Sequence, residues 1–375
     1  MRIAVNTRLL IKDKLGGIGF FTYQTLKRIT RAHPEHTFYF IFDRNWDSEF
    51  IFSDNIIPVK LKPPTRHPIL WHIWFQYRIP RLLKKIKPDL FLSPDGFISL
   101  HTNVPSLAVI HDINFLHFPQ DLPFFVRKYY LKYFPLFSKK AKRISTVSEY
   151  SKTDMIDNYA LAPGKIDVVY NGVDSIFKPL AQKEQQKIRE KYCEGNPFFI
   201  FIGSLLPRKN LPKLFKAFDL FKQETESPHK LILIGDPMHS FREIDQTFSV
   251  MKFKTDVLLI GRVQRDDTAL LLASSRALLF VSYFEGFGIP LIEAFRSEVP
   301  VLAGNQTSLP EIAADAALYV DPFSVQSIKE GMIEIEQNKL LREQLVSKGK
   351  IQGRKYSWDK SADLLWKSIE KTLSS

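Results

Sequence analysis

The sequence E-G-F-G-I-P-L-I-E at residues 285–293 follows a short apolar run, residues 277–282, and continues into a second apolar segment. The run has the length and composition of a buried strand in a parallel sheet. Gly286 and Gly288 suit a tight turn because glycine adopts backbone angles that are closed to other residues. Pro290 suits the first turn of a helix, where its missing N–H group costs nothing. The stretch therefore predicts a strand, a glycine-rich turn and a helix, the repeating unit of a parallel α/β sheet.

The same turn has the features of an anion site. The N–H groups of a first helical turn lack partners within the helix, and the helix dipole also attracts negative charge. Glu285 and Glu293 frame the turn, and their carboxylates can accept hydrogen bonds from hydroxyl groups. Affinity for phosphate and for hydroxyls together indicates a sugar nucleotide. The alternative is an ordinary turn in which Glu293 only complements the helix dipole.

Short apolar strands alternate with helical segments along the whole chain, which predicts an α/β protein. Because the chain has 375 residues, more than one domain core usually supports, we expect two domains. The predicted strands of the first half begin near residues 2, 37, 90, 106, 143 and 166, and those of the second half near residues 198, 230, 257, 277 and 299. We predict Rossmann-like domains at residues 1–178 and 179–355, followed by a C-terminal helix, residues 356–375, that crosses back to the first domain.

Positive charge is concentrated in the first half. Residues 1–178 hold 26 of the 53 Lys and Arg residues but only 15 of the 40 Asp and Glu residues, so they carry most of the net charge of +13. Basic and aromatic residues are interleaved in two segments, 69–87 and 124–143. These segments are either helices at an anionic membrane surface or ordinary helices with one solvated basic face. Neither resembles a nucleic-acid-binding motif, so we expect no nucleic acid partner.

The rest of the composition is typical of a globular cytoplasmic protein. The chain starts with a short strand rather than a secretory signal, and no apolar run approaches the ~20 residues that span a bilayer. Its single cysteine, Cys193, excludes an internal disulfide and a cysteine-rich metal site. We therefore expect a cytoplasmic location, with peripheral contact at the inner face of the membrane if the basic segments bind lipid.

Two further turns carry candidate binding residues. Gly16 and Gly17 precede a helical segment, but the glycines there do not fit the dinucleotide-binding pattern G-x-G-x-x-G. Arg208 and Lys209 lie between a predicted strand and a helix. A diphosphate at that strand end would meet a planar guanidinium and a point charge together. On their own, the two cations could equally be a solvated basic pair.

Eight motifs in order resemble the retaining glycosyltransferases of the GT-B fold. More narrowly, they are similar to family four, the group that contains mannosyltransferases of bacterial polysaccharide assembly. The match extends over nearly the whole chain, in the motifs Gly16-Gly17, His111-Asp112, Ser148-Glu149-Tyr150-Ser151, Asn171-Gly172-Val173-Asp174, Pro207-Arg208-Lys209-Asn210, Gly261-Arg262-Val263, residues 285–293 and Ser308-Leu309-Pro310-Glu311. The resemblance implies two Rossmann-like domains whose parallel sheets face each other across a cleft, with the nucleotide sugar on the second domain and the acceptor on the first.

The resemblance also assigns donor contacts in the second domain. Glu293 would bind the ribose hydroxyls, and Val263 would lie against the base through its backbone. Glu285 would lie near the donor sugar. Further contacts to the sugar or phosphate would come from the backbone of the turn, at Gly286, Phe287 and Gly288.

Charge and closure are assigned by the same resemblance. Arg208 and Lys209 would neutralise the diphosphate, and the turn at Gly16 and Gly17 would close over it from the first domain. His111 would lie near the C6 hydroxyl of the sugar. Its alternatives are a structural pair with its neighbouring aspartate or the general base of an inverting enzyme.

One position departs from the family pattern. Many relatives carry Arg directly after the glycine that follows the first strand of the second domain, and Ser204 stands there. Arg208 would supply the missing guanidinium. Since no carboxylate is evident beneath the anomeric carbon, we predict retention by front-face transfer, in which the departing phosphate oxygen takes the acceptor's proton. No Asp-x-Asp motif lies near the site, so we expect no metal and no other cofactor.

The substrates follow from the resemblance alone. GDP-mannose is the expected donor, with a UDP- or dTDP-sugar as the alternative. The expected acceptor is a saccharide or a lipid-linked oligosaccharide in the synthesis of a surface polysaccharide. A sugar-nucleotide epimerase of the same fold is a competing hypothesis, and it would convert the donor without an acceptor.

Overall fold

The computed structural model describes residues 1–236 and 242–374 and divides into two compact units. The first unit contains Met1–Gly172 and the last helix of the chain, and the second contains Val173–Ser357. The division at Gly172 precedes the expected boundary at residue 178. The reason is that Asp174 and Phe177 already contact Arg265 of the second unit. The Asp174 carboxylate lies 3.2 Å from the Arg265 guanidinium, and the ring centre of Phe177 lies 5.1 Å from its central carbon.

The first unit contains seven parallel strands, β1 (Arg2–Asn6), β2 (Thr37–Phe42), β3 (Ile56–Lys60), β4 (Leu90–Ser93), β5 (Ser106–Val109), β6 (Arg143–Thr146) and β7 (Ile166–Val168). They form one sheet in the order β3-β2-β1-β4-β5-β6-β7. Its helices are α1 (Gly17–Ala32), α2 (Pro68–Ile73), α3 (Ile79–Ile86), α4 (Asn114–His117), α5 (Phe124–Lys140) and α6 (Glu149–Tyr159). Helices between parallel strands are the connection that such a sheet requires.

The second unit repeats this architecture around a six-stranded parallel sheet, in the order β10-β9-β8-β11-β12-β13. Its strands are β8 (Phe198–Ile202), β9 (Lys230–Ile234), β10 (Val257–Gly261), β11 (Ala277–Phe280), β12 (Val301–Gly304) and β13 (Leu318–Val320). Its helices are α7 (Gln182–Cys193), α8 (Leu211–Thr225), α9 (Arg242–Ser249), α10 (Arg265–Ser274), α11 (Ile289–Arg296), α12 (Leu309–Ala313), α13 (Val325–Gln337) and α14 (Lys339–Gly353). The two parallel sheets confirm the predicted α/β fold class.

The central strands of both sheets are fully buried, which explains why they read as continuous apolar runs in the sequence. In the first unit Phe38 and Phe91 are inaccessible to solvent, as are Phe199 and Leu279 in the second. Each sheet also ends in a strand that the sequence did not predict, β3 and β13. β3 contains Pro58, which an edge strand tolerates because the missing N–H group need not join the ladder.

The chain ends in α15 (Trp358–Ser374), which belongs to the first unit. Trp358 is buried and packs edge-on against Phe20 of α1, with the ring centroids 5.5 Å apart. Two ion pairs also hold α15 in place. Asp359 pairs with Arg28 of α1 at 2.6 Å, and Lys371 pairs with Asp167 of β7 at 2.9 Å. The last helix is therefore an integral part of the first unit rather than a free tail.

The two basic aromatic segments of the first unit form helical structure. Residues 69–87 span α2, a π-helical segment, Trp74–Arg78, and α3, whereas the second segment forms α5. Trp74 and Phe75 of the first segment and Phe134 and Phe137 of the second are buried in the core, so part of each segment is ordinary packing. Across the part of the chain that the structure describes, no helix combines the length and apolarity needed to cross a membrane.

Candidate functional site

The glycine-rich turn joins β11 to α11 and is held open by side chains from the following loop. Ser308 is buried, and its hydroxyl donates to the carbonyl oxygens of Glu285 and Phe287 at 2.9 and 3.2 Å. Thr307 accepts a hydrogen bond from the N–H group of Glu285 at 3.1 Å. Gly288 has φ +99°, and an added Cβ atom would lie 2.9 Å from a methyl carbon of Leu309. The turn is thus fixed in shape, and glycine is required at position 288 for both conformation and space.

Arg208, Lys209 and Glu285 form a buried charge cluster beside this turn. Lys209 Nζ lies 2.5 Å from Glu285 Oε1, and Arg208 Nη1 lies 2.9 Å from Oε2. Lys209 and Glu285 are 7% and 6% exposed, so these pairs are shielded from water. Burial alone would raise the pKa of Glu285, but Lys209 and Arg208 outweigh it and hold that pKa below its ordinary value. The cluster holds two cations and one carboxylate and is therefore net positive.

The backbone brings these side chains together at the carboxyl ends of β8 and β11. Arg208 and Lys209 lie in a single 3-10 turn, Pro207–Lys209, between β8 and α8. The Asn210 side chain then donates to the carbonyl oxygens of Val281 and Pro322, at 3.1 and 2.6 Å. These bonds tie the loop after β8 to the loops after β11 and β13. Ligands of doubly wound parallel sheets bind at the carboxyl ends of the strands, which is where these side chains lie.

Glu293 is held by a guanidinium that the sequence did not single out. Its carboxylate is 3% exposed and accepts a hydrogen bond from Arg265 at 2.9 Å through Oε1. Oε2 accepts no hydrogen bond from the described residues. Burial raises the pKa of Glu293, Arg265 partly offsets that rise, and Asp174 adds to it. Val263 lies two residues before Arg265, partly buried in the turn between β10 and α10.

The remaining predicted residues lie in the first unit. Gly16 is the N-cap of α1 and Gly17 its first residue, and a Cβ atom at either position would contact nothing within 4 Å. His111 follows β5, with Nε2 3.0 Å from the carbonyl oxygen of Pro94 and its ring edge-on to Phe21. Because a carbonyl can only accept, Nε2 carries a hydrogen. Burial lowers the pKa of His111, so at neutral pH its Nδ1 is an acceptor.

Sequence reasoning missed a second buried charge cluster, in the first unit. Arg8 Nε lies 2.5 Å from Asp95 Oδ2, and Asn6 donates to Oδ1 of the same carboxylate at 2.8 Å. The Arg8 guanidinium also lies 4.5 Å from the ring centre of Phe97, a cation–π contact. The one sequence feature that pointed to this cluster was the pair of polar residues at positions 6 and 8, at the end of an apolar strand. Their partner is almost ninety positions away, so the pairing itself is not visible in the sequence.

Comparisons with known proteins agree with this architecture. Residues 15–176 match the family model described as Glycosyltransferase Family 4, and residues 182–352 match the model described as Glycosyl transferases group 1. The chain is 27% identical over 369 residues to O-antigen chain mannosyltransferase B of Escherichia coli, covering 93% of this chain and 94% of that protein. It is 26% identical over 288 residues to O-antigen chain mannosyltransferase RfbU of Salmonella typhimurium, covering 76% and 75%.

Solved structures share the fold at low sequence identity. The crystal structure of Anabaena HepE in complex with UDP and glucose superposes with a TM-score of 0.77 at 16% identity, covering 99% of both chains. That of WaaG, a glycosyltransferase involved in lipopolysaccharide biosynthesis, superposes with a TM-score of 0.76 at 16% identity, covering 96% and 97%. The two family models, found in this order along one chain, identify it as a glycosyltransferase with a Glycosyltransferase Family 4 domain followed by a Glycosyl transferases group 1 domain.

Proposed function

We propose that the enzyme transfers mannose from GDP-mannose to a saccharide or lipid-linked oligosaccharide acceptor during surface polysaccharide synthesis. The choice of mannose is supported by similarity to O-antigen mannosyltransferases, one of which aligns over 93% of this chain. The chemistry rests on one observation, the net-positive cluster of Arg208, Lys209 and Glu285 beside the turn that starts α11.

The cluster suits the bond-breaking step of glycosyl transfer. As the sugar–phosphate bond breaks, negative charge accumulates on the departing diphosphate. Fixed cations in a site shielded from water stabilise that charge without having to reorganise. In this proposal Lys209 and Arg208 provide the cations, and Glu285 holds both in place through its two oxygens. Arg208 thereby supplies the guanidinium that Ser204 lacks.

The donor is held by groups on three loops of the second unit. Oε2 of Glu293 accepts hydrogen bonds from the ribose, while Arg265 keeps the carboxylate oriented through Oε1. Val263 contacts the base through its backbone, in the same turn as Arg265. The donor sugar and its phosphate lie against the backbone of the turn, at Gly286, Phe287 and Gly288. Gly16 and Gly17 are assigned to the diphosphate by the family resemblance alone.

His111 contacts the C6 hydroxyl of the donor sugar. Its Nδ1 is an acceptor because Nε2 donates to Pro94, and burial keeps the ring neutral. A neutral imidazole could also act as the general base of an inverting enzyme. The two roles predict opposite products, since donor contact accompanies retention of the anomeric configuration. We propose retention, by front-face transfer in which the leaving phosphate oxygen accepts the acceptor's proton.

Transfer proceeds without a metal ion in this proposal, because Lys209 and Arg208 neutralise the diphosphate. The test is turnover of GDP-mannose after dialysis against EDTA, with Mg²⁺ or Mn²⁺ restored in a parallel sample. We expect equal rates in both samples. Loss of activity in EDTA that a divalent cation restores would contradict metal independence while leaving the mannosyl donor intact.

The donor is tested by thermal unfolding with GDP, UDP and dTDP, followed by transfer assays with GDP-mannose. A nucleotide at 100 times its dissociation constant stabilises the native state by about 2.7 kcal/mol. We expect GDP to give the largest shift in melting temperature. A larger shift with UDP or dTDP would show that the donor carries that nucleotide instead of GDP. If no sugar linked to the preferred nucleotide were transferred, the proposed transferase activity would be overturned.

We also propose that the first unit contacts an anionic membrane surface. Exposed apolar side chains occur on α2, α5 and the π-helical segment, at Ile69, Tyr77, Phe124 and Phe125, which are 64%, 50%, 50% and 65% exposed. Two cations lie against one of them, with Lys128 Nζ 4.4 Å and the Arg127 guanidinium 5.5 Å from the ring centre of Phe124. Apolar side chains flanked by cations are what binding to anionic lipid requires.

Cosedimentation with vesicles tests this contact. Wild-type protein should bind vesicles that contain anionic phosphatidylglycerol and bind neutral phosphatidylcholine vesicles weakly, and binding should fall with added salt. The Phe124→Ser/Phe125→Ser double variant should lose most of the binding. The matched control removes two exposed apolar side chains from the second unit, Leu340→Ser/Ile351→Ser, and should bind as wild type does. If both double variants bound the anionic vesicles equally, the proposed membrane contact through Phe124 and Phe125 would be refuted.

A further inference from the structure

The turn between α1 and β2 gathers three metal-binding side chains. His33 Nδ1 lies 3.6 Å from Glu35 Oε1, and His36 Nε2 lies 3.2 Å from the same oxygen. All three ligand atoms lie within 4.8 Å of one another, the one such group in the part of the chain that the structure describes. In a tetrahedral zinc site with bonds of about 2.1 Å, ligand atoms are separated by about 3.4 Å. The two separations to Glu35 are therefore within about 0.2 Å of the tetrahedral value, and the histidine nitrogens lie within 4.8 Å of each other.

Neighbouring residues hold the turn in this shape. Its backbone is closed by a hydrogen bond from His36 N–H to the His33 carbonyl oxygen at 3.2 Å. The Asn55 side chain also donates to that carbonyl, at 3.0 Å. Trp366 of α15 stacks on the His33 ring, with the centroids 3.6 Å apart, and therefore fixes the ring's orientation. A preorganised turn loses little conformational entropy when an ion binds.

We propose that His33, Glu35 and His36 bind a divalent transition metal of the zinc class, with water in the remaining position. Two imidazoles and one carboxylate are a ligand set that zinc accepts. Burial of His36, whose side chain is 15% exposed, protects the site partly from solvent, whereas Glu35 is 59% exposed and able to reorient. The site does not depend on the proposed function and is assigned no role in transfer.

Its place in the fold indicates a structural role. The turn follows the C-terminal end of α1, while Gly16 and Gly17 lie at the other end of this 16-residue helix. A helix of that length spans about 24 Å, so the ion would not touch a donor at the glycines. Instead it would join the end of α1 to the start of β2 beneath Trp366. A bound metal should therefore raise the stability of the first unit and leave turnover unchanged.

Protons compete for the same ligands. Imidazole binds a metal only when the ligating nitrogen is unprotonated, so binding releases protons and strengthens as the pH rises. The other ring nitrogen of His36, Nδ1, lies 3.2 Å from the amino nitrogen of Met1.

Isothermal titration with Zn²⁺ tests the site on the full chain without a polyhistidine tag. We expect one saturable site per chain and a higher melting temperature in Zn²⁺. Glu35→Gln and His36→Asn should each weaken binding by about tenfold or more, because even an outer partner of a ligand contributes that much. His101→Asn, which removes another exposed histidine of the first unit, should bind as wild type does. Unfolding curves of all variants without metal serve as the control for folding. Because Glu35 is exposed, its replacement by Gln should not impair folding.

A second measurement identifies the location. Cu²⁺ in the same site would lie against the imidazole on which Trp366 stacks and should quench part of the tryptophan fluorescence, and His36→Asn should remove that quenching. Absence of a saturable site in the wild type, or equal Zn²⁺ binding by the wild type and both ligand variants, would overturn the proposal. Neither result bears on mannosyl transfer, which is assayed in EDTA.

Discussion

Replacing Lys209 by methionine separates the catalytic role of its charge from its role in packing. Methionine keeps most of the length of the lysine side chain and can still contact Phe280, whose ring centre lies 4.6 Å from Nζ, but it removes the cation. If Lys209 stabilises charge on the leaving diphosphate, its loss raises the barrier by about 3 kcal/mol, which is about a hundredfold in rate. The rate to measure is GDP release from GDP-mannose at saturating donor and acceptor.

The same change also costs stability, and the structure sets its size. A buried charge that loses its only partner destabilises a protein by about 3–5 kcal/mol. Glu285 would keep Arg208, 2.9 Å from its other oxygen, so we expect a smaller loss of about 1–3 kcal/mol in urea unfolding. The double variant Lys209→Met/Glu285→Gln removes the buried carboxylate charge as well. It should recover part of the lost stability without recovering the rate.

These two measurements make the hypothesis refutable. If the rate follows stability and returns in the double variant, Lys209 acts through structure alone. If the folded single variant turns over at the wild-type rate, the cluster is not the source of catalytic charge.

Three further predictions follow from individual contacts. Gly288→Ala should lower the free energy of unfolding by at least about 1–2 kcal/mol, because φ +99° and the 2.9 Å approach to Leu309 both oppose a side chain, whereas Gly17→Ala should leave stability unchanged. The folded pKa of Glu293 lies above its ordinary value of 4.5, so protonation of its carboxylate stabilises the folded state, and this stabilisation is lost as the pH rises through the folded pKa. Glu293→Gln should therefore match or exceed the wild type in stability at pH 7 while binding GDP more weakly, and a stability loss at pH 7 with unchanged GDP binding would contradict this. Trp358→Ala should destabilise the first unit by about 3–5 kcal/mol because a fully buried indole is removed, and calorimetry should show that loss without a change in nucleotide binding to the second unit.

Much of the fold is predictable because central parallel strands are buried on both faces. β2, β4 and β8 coincide with the predicted apolar runs, since burial on two faces leaves no polar residue to interrupt them. Two of the four edge strands, β3 and β13, escaped prediction, whereas β7 and β10 were predicted. β3 contains Pro58, and β3 and β13 each have a single buried position, so neither forms a continuous apolar run.

The candidate site divides in the same way. Residues adjacent in sequence to a turn, such as Glu285 and Lys209, were visible because strand ends and glycines mark the turn. Arg265 was not, because it lies in the first turn of an otherwise ordinary helix and its pairing with Glu293 spans 28 positions. Arg8 and Asp95 were missed for the same reason. Sequence patterns report local geometry, whereas ion pairs between loops depend on the order of strands in the sheet.

We propose that this glycosyltransferase moves mannose from GDP-mannose with retention and without a metal. The most direct test is an NMR measurement of the anomeric configuration of the product formed from GDP-mannose and an oligosaccharide acceptor in the presence of EDTA. We expect a mannosylated product with the same α configuration as the donor. A β-linked product, or no transfer under conditions in which the enzyme is folded and binds GDP, would contradict it.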